Sequence, residues 1–249
     1  PYGIILGNHD YSGSTTLYGN YFPASRFEGR PYYGGHYGSN NENHYEFFNS
    51  DGLEFIVINL SSSDQNPITA VLDWADALLK TYSTKRGILV NHSVVNTGNP
   101  ATFTGPGQAI YDALKDNPNL FLMLGGHVPG VGRRQDTFNG NTIYSVLADY
   151  QGEANGGNGW LRILEFDPPN NLIHMTAYSP TLNQWKTTSA DQYDLAYSML
   201  PSTFQLIGTN GVTCSTATAT VTPTGTPTNT ATNTPTPTGT STNTPTGTA

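Results

Sequence analysis

The chain has one cysteine, Cys214, so no internal disulfide can staple it. Charge is scarce: only 11% of the 249 residues are Asp, Glu, Lys or Arg, and eighteen acidic residues outnumber ten basic ones, for a net charge of −8. That balance argues against affinity for a nucleic acid backbone. No apolar run is long enough to span a membrane as a helix, so no transmembrane segment is expected. Between Cys214 and Ala249 charged and aromatic residues are missing altogether. Such a stretch buries too little apolar surface to offset the entropy of ordering it, and its Thr/Pro repeats read as an extended, hydroxyl-rich, disordered stalk. The expected organisation is therefore a folded domain over 1–210 and a Thr/Pro-rich linker over 211–249. A stalk of this kind suits a secreted or cell-surface protein with a further module beyond it.

Three apolar runs each end in polar, chemically capable residues. Ile4, Ile5 and Leu6 lead into Gly7-Asn8-His9-Asp10; Ile88, Leu89 and Val90 lead into Asn91-His92; Leu120 to Leu124 lead into Gly125-Gly126-His127. Short apolar runs suit strands buried on both faces, and ligand sites form beyond the carboxyl ends of such strands. Three histidines that follow their strands, instead of lying within them, are best explained by convergence at one sheet edge. Asn8 offers a carbonyl oxygen, His9 an imidazole able to transfer a proton near neutral pH, and Asp10 a carboxylate to orient it.

In these blocks the chain resembles the calcineurin-like metallophosphoesterases. Gly7-Asn8-His9-Asp10, then His92, then Gly126-His127-Val128-Pro129 follow the order of that family's last three signatures. Tyr33-Gly34-Gly35-His36 and Leu147-Ala148-Asp149-Tyr150-Gln151 look like segments of a secreted bacterial branch. The resemblance implies a metal-dependent hydrolase of phosphomonoesters or phosphodiesters. Its dinuclear centre of Fe, Zn or Mn would share a bridging hydroxide nucleophile, the ions lying about 3.5–4 Å apart. By position, Asn8, His92 and His127 bind one metal, His9 donates a proton to the leaving alkoxide and Asp10 orients it. Two departures stand out. The two upstream signatures are missing, so the chain is read as starting in mid-domain. Pro129 stands where the family has a second ligating histidine. One ion or none is then expected in this chain, and the phosphate ester is its expected partner.

The remaining pattern has helices between the early strands and antiparallel strands later. Asp51-Gly52 marks a hairpin, a helix is expected from Asn66 to about Tyr82 and another from Pro106 to about Asp116, and Thr142–Tyr150, Trp160–Phe166 and Leu172–Tyr178 read as strands. Strand and helix order fit an α/β fold of two stacked mixed sheets, and the resemblance implies a four-layer α/β/β/α sandwich incomplete at its start. Residues 11–43, rich in Tyr and Gly, read as a long loop in which His36 is a candidate phosphate contact. Arg133 and Arg134 are candidates for the same role, because a guanidinium can donate a forked pair of hydrogen bonds. His44 and His174 read as structural. Two alternatives remain: a phosphoesterase fold that binds without hydrolysing, for which Pro129 argues, and a stalk-displayed surface or glycan-binding module.

Overall fold

The computed structural model describes residues 1–11, 15–61 and 67–199. The expected linker and the expected helix start at Asn66 lie outside the described residues. Two short helices, α1 (Thr15–Tyr21) and α2 (Ala24–Phe27), precede β1 (Tyr33–His36), so the stretch read as one long loop holds three elements. The hairpin of β2 (His44–Ser50) and β3 (Leu53–Leu60) turns at Asp51 and Gly52, whose φ values of 50° and 78° a two-residue turn demands. Helix α3 (Thr69–Thr81) then crosses to β4 (Arg86–Asn91), and α4 (Gly105–Leu114) to β5 (Leu120–Gly125). A second hairpin, β6 (Gly130–Phe138) and β7 (Asn141–Asp149), completes a seven-stranded sheet in the order β1-β2-β3-β4-β5-β7-β6.

Within that sheet β3, β4, β5 and β7 run parallel, so Leu60, Asn91, Gly125 and Asp149 all end at one edge. Alternation along the strands separates two cores. Ile56, Ile58, Leu60 and Leu89 face Val71, Ala75 and Leu79 of α3 and Ile110 and Leu114 of α4. Phe55, Ile88, Leu122 and Val146 face the second sheet. Each such side chain, fully buried, contributes roughly 1.5–3 kcal/mol.

The second sheet is antiparallel and centres on β9 (Leu172–Ser179). It pairs with β8 (Leu161–Asp167), with β10 (Gln184–Lys186) and with β11 (Tyr193–Ala196); the four-residue α5 (Ala154–Gly157) precedes β8. Ile173, Met175 and Leu195 turn inward onto the large sheet. The fold is thus α/β, with a helical layer on a large mixed sheet and a second sheet on its other face. His174, on the outward side of β9, is structural as expected: Nδ1 meets Asp194 at 2.7 Å and Nε2 meets Asp167 at 3.2 Å. Asp194 first, then Asp167, hold its pKa above the ordinary imidazole value.

One expected strand is absent. Residues 1–7 form no strand, although Leu6 is fully buried. A strand needs a neighbour's backbone, and here side chains meet the segment instead. The Tyr18 hydroxyl donates to Ile4 O at 2.8 Å, and a Cβ on Gly3 would lie 2.5 Å from Glu46 Oε1. Besides β1, the strands β6, β10 and β11 went unread, β10 being only three residues long. β6 lacks an apolar pattern and β11 is short, although Asn139-Gly140, with φ of 49° and 81°, is a clear hairpin signal.

Helix α4 sets the loop that follows β4. Its N-cap Thr104 accepts from Gly107 N at 3.1 Å and donates to Ser93 O at 2.9 Å. A Cβ on Gly107 would sit 1.8 Å from Val94 O. Gly107→Ala is therefore expected to cost about 1–3 kcal/mol through overpacking, read as a lower denaturation midpoint in urea.

Candidate metal centre

The site lies at the carboxyl edge of the parallel strands. Asn91 closes β4 with a fully buried amide that donates from Nδ2 to Leu60 O at 2.8 Å and accepts at Oδ1 from Ser93 N at 2.9 Å. It ties the ends of β3 and β4 together and fixes the turn carrying His92. Gly126 N donates to His92 O at 3.0 Å, which docks the turn after β5 against the one after β4. His127 then adopts a φ of 73°, a left-handed conformation that costs a non-glycine residue about 1–3 kcal/mol. The tight Val128 N to Gly126 O bond of 2.9 Å holds it there.

The amino-terminal segment supplies the third side. Gly7 passes so close to His92 that a Cβ would meet its Cε1 at 3.0 Å. Residues Asn8–Tyr11 form a 3-10 turn, closed by Asp10, whose Oδ2 accepts from Gly7 N at 2.8 Å while its N–H donates to Gly7 O at 3.1 Å. Asp10 thus shapes the loop that presents Asn8, and His9 is exposed on that loop. Tyr18 and Tyr33 brace the segment from below: both reach Asn41, and burial pushes the Tyr33 phenol up to about 12 and the Tyr18 phenol further, so both remain donors. Beneath Gly3, the buried Glu46 accepts from Asn59 at 2.6 Å and faces His44 Nε2 at 3.0 Å.

Asn8 Oδ1 lies 2.9 Å from His92 Nε2, which in turn lies 3.0 Å from His127 Nδ1. The two rings stand 4.7 Å apart at 63°. One proton on His92 Nε2 cannot serve both contacts well. Without it, the oxygen of Asn8 and that nitrogen face each other as two acceptors. A cation that accepts all three lone pairs removes the conflict, and ligand distances of about 2.0–2.2 Å call for donor spacings only a few tenths of an ångström wider. The residues therefore fit one metal ion. Among the described residues no three His, Cys, Asp or Glu side chains converge; the third donor here is an amide. Pro129 is exposed, and its ring offers no donor for a second ion.

The other candidates stand elsewhere. His36 ends β1 opposite His44, with Nε2 3.7 Å from Glu28. Arg134, in mid-β6, forms a forked pair with Asp136, donates to Ala101 O at 3.1 Å and covers the Phe103 ring at 3.9 Å. Arg133 stacks on Tyr193 at 3.8 Å. The contacts that hold these three side chains are thus made with Glu28, with Asp136, Ala101 and Phe103, and with Tyr193. Asn91 was missed by sequence reasoning, although its place at a strand end before His92 was visible. A cavity of about 690 Å³ at the opposite sheet edge holds none of the site residues, and Arg86 there donates to Tyr197, Ser198 and Met199.

No family model matches the chain. Over 205 residues it is 32% identical to YvnB of Bacillus subtilis, an uncharacterized protein. The match covers 78% of this chain and 15% of that protein, so the chain spans less than a fifth of that relative's length. Among solved structures it is similar to GAP50, the anchor in the inner membrane complex of Plasmodium, with 13% identity, 64% of this chain and 54% of that chain covered, and a TM-score of 0.42. It is also similar to a dimetal phosphatase from Danio rerio, with 15% identity, 53% and 38% covered, and a TM-score of 0.33.

Proposed function

We propose that the chain carries part of the active site of a metal-dependent phosphoric ester hydrolase, with Asn8, His92 and His127 as the ligands of one ion. The convergence of Asn8 Oδ1, His92 Nε2 and His127 Nδ1 within 3.0 Å contacts carries this reading. When bound, a Zn, Mn or Fe ion supplies Lewis-acid polarisation of a phosphoryl oxygen and the positive charge an acidic chain lacks. His9, next in the chain to Asn8 and exposed, delivers a proton to the leaving alkoxide. Asp10 fixes the loop through Gly7, which holds His9 at a set distance from Asn8. Residues 1–210 are the catalytic unit in this reading and 211–249 a stalk that displays it outside the cell. No helix among the described residues is long and apolar enough to cross a membrane.

The test uses the whole 249-residue chain with manganese, zinc or ferrous iron, assayed on bis-p-nitrophenyl phosphate and p-nitrophenyl phosphate. Nitrophenol release that needs added metal and stops with a chelator is the expected result. Metal binding without turnover on either ester would overturn the hydrolase in favour of a phosphate-ester-binding module, the reading Pro129 favours.

A further inference from the structure

Strand β6 is the edge of the large sheet, but the loop after β4 covers its first half. Gly98 N donates to Val131 O, Arg133 N to Gly98 O at 2.9 Å, and Ala101 N to Arg133 O at 2.8 Å. Where this loop meets residues 189–190 they flank a half-open cavity of about 190 Å³, walled by Gly98, Asn99, Gly132, Arg133 and Ser189. That is the share of roughly six waters in the liquid. Asn99, with its amide oxygen toward the guanidinium, accepts from Arg133 Nε and Nη2 at 3.1 Å each. One more Arg133 N–H goes to the Tyr193 phenol, which leaves two of its five N–H groups for a further acceptor.

A second guanidinium stands behind the first. Arg162 lies 5.7 Å from the centroid of the Tyr193 ring on which Arg133 stacks, and its side chain is nine-tenths buried. Nη1 donates to Asp191 O, whereas Nε and Nη2 find no hydrogen-bond acceptor among the described residues. The nearby carboxylates already have partners. Asp191 accepts from Tyr150 at 3.1 Å and Thr188 at 2.8 Å, with Arg162 Nη2 3.6 Å away, and Asp194 faces His174. Arg133 and Arg162 thus place two guanidiniums beside the cavity, balanced locally by Asp191 and Asp194, in a chain whose net charge is −8.

We propose that this cavity binds a small oxyanion, a phosphate or carboxylate group, through the Arg133 guanidinium. A planar fork held by stacking and by Asn99 is preorganised for two parallel N–H bonds to such a group. The site is separate from the metal centre and does not rest on the proposed activity. The anion is either a free ion or the charged end of a larger ligand.

Titration calorimetry of the full chain with inorganic phosphate, in the presence of a chelator, tests the proposal. Saturable binding is expected, at least about tenfold weaker in Arg133→Gln and unchanged in His92→Ala. Because Arg133 also supports Tyr193, Ser189→Asp provides a second variant: Ser189 is exposed, so the fold is retained while a like charge enters the cavity wall. It should abolish binding. Tighter binding of glycerol phosphate than of inorganic phosphate would assign the site to a larger ligand, and the reverse to the free ion; both support it. Lack of saturable binding by the unmodified chain, or binding unchanged by Ser189→Asp, overturns it.

Discussion

His92→Ala is expected to weaken metal binding by on the order of 100-fold or more, while the far-UV circular dichroism stays that of the unmodified chain. His92 is the middle member of the donor set, in contact with both Asn8 Oδ1 and His127 Nδ1. Its removal takes away one ligand and separates the other two. The fold should survive, because the imidazole follows β4 and belongs to neither apolar core. Binding also links to stability. An ion at 100 times its dissociation constant stabilises the native state by about 2.7 kcal/mol, which for a domain of this size raises the melting temperature by roughly 5–11 °C. Zinc should give that rise in the unmodified chain and almost none in His92→Ala. His36→Ala, far along β1, serves as the control and should keep the full rise. An equal rise in both variants would move the ion away from Asn8, His92 and His127.

The sequence makes the site edge legible because its signal is local. A buried strand announces itself as an apolar run, and a ligand-bearing loop must follow directly, as at Asn91-His92 and Gly125-Gly126-His127. The same logic failed at Ile4-Ile5-Leu6. Leu6 is buried as its run suggests, but pairing is a property of two chains' backbones, and the segment rests on Tyr18 and Glu46 instead of a ladder. β6 escaped notice for the opposite reason. Gly130-Val131-Gly132-Arg133-Arg134 carries no apolar alternation, since its cover is a loop and two stacked guanidiniums. Arg133 and Arg134 were readable as anion contacts from chemistry alone. Whether each is already satisfied depends on Asp136 for one and on Asn99 for the other, partners that no local pattern reveals.

His9→Ala is expected to lower turnover of an alkyl phosphate ester by about 10²–10⁴-fold, with metal affinity kept. The separation follows from how the loop is held. Asp10 closes the turn through Gly7 N and Gly7 O, so Asn8 keeps its place when the neighbouring imidazole is deleted. The size of the loss should depend on the leaving group. An alkoxide departs only with a proton, whereas nitrophenolate leaves readily without one, so the nitrophenyl esters should lose far less. A loss equal for both esters would mean that His9 acts in binding or loop geometry and not as the acid. Asp10→Asn retains an acceptor oxygen for Gly7 N and should cost little, whereas Asp10→Ala opens the turn and should weaken metal binding together with turnover. Paired loss in Asp10→Ala and unpaired loss in His9→Ala would divide the two adjacent residues into one that shapes the loop and one that moves the proton.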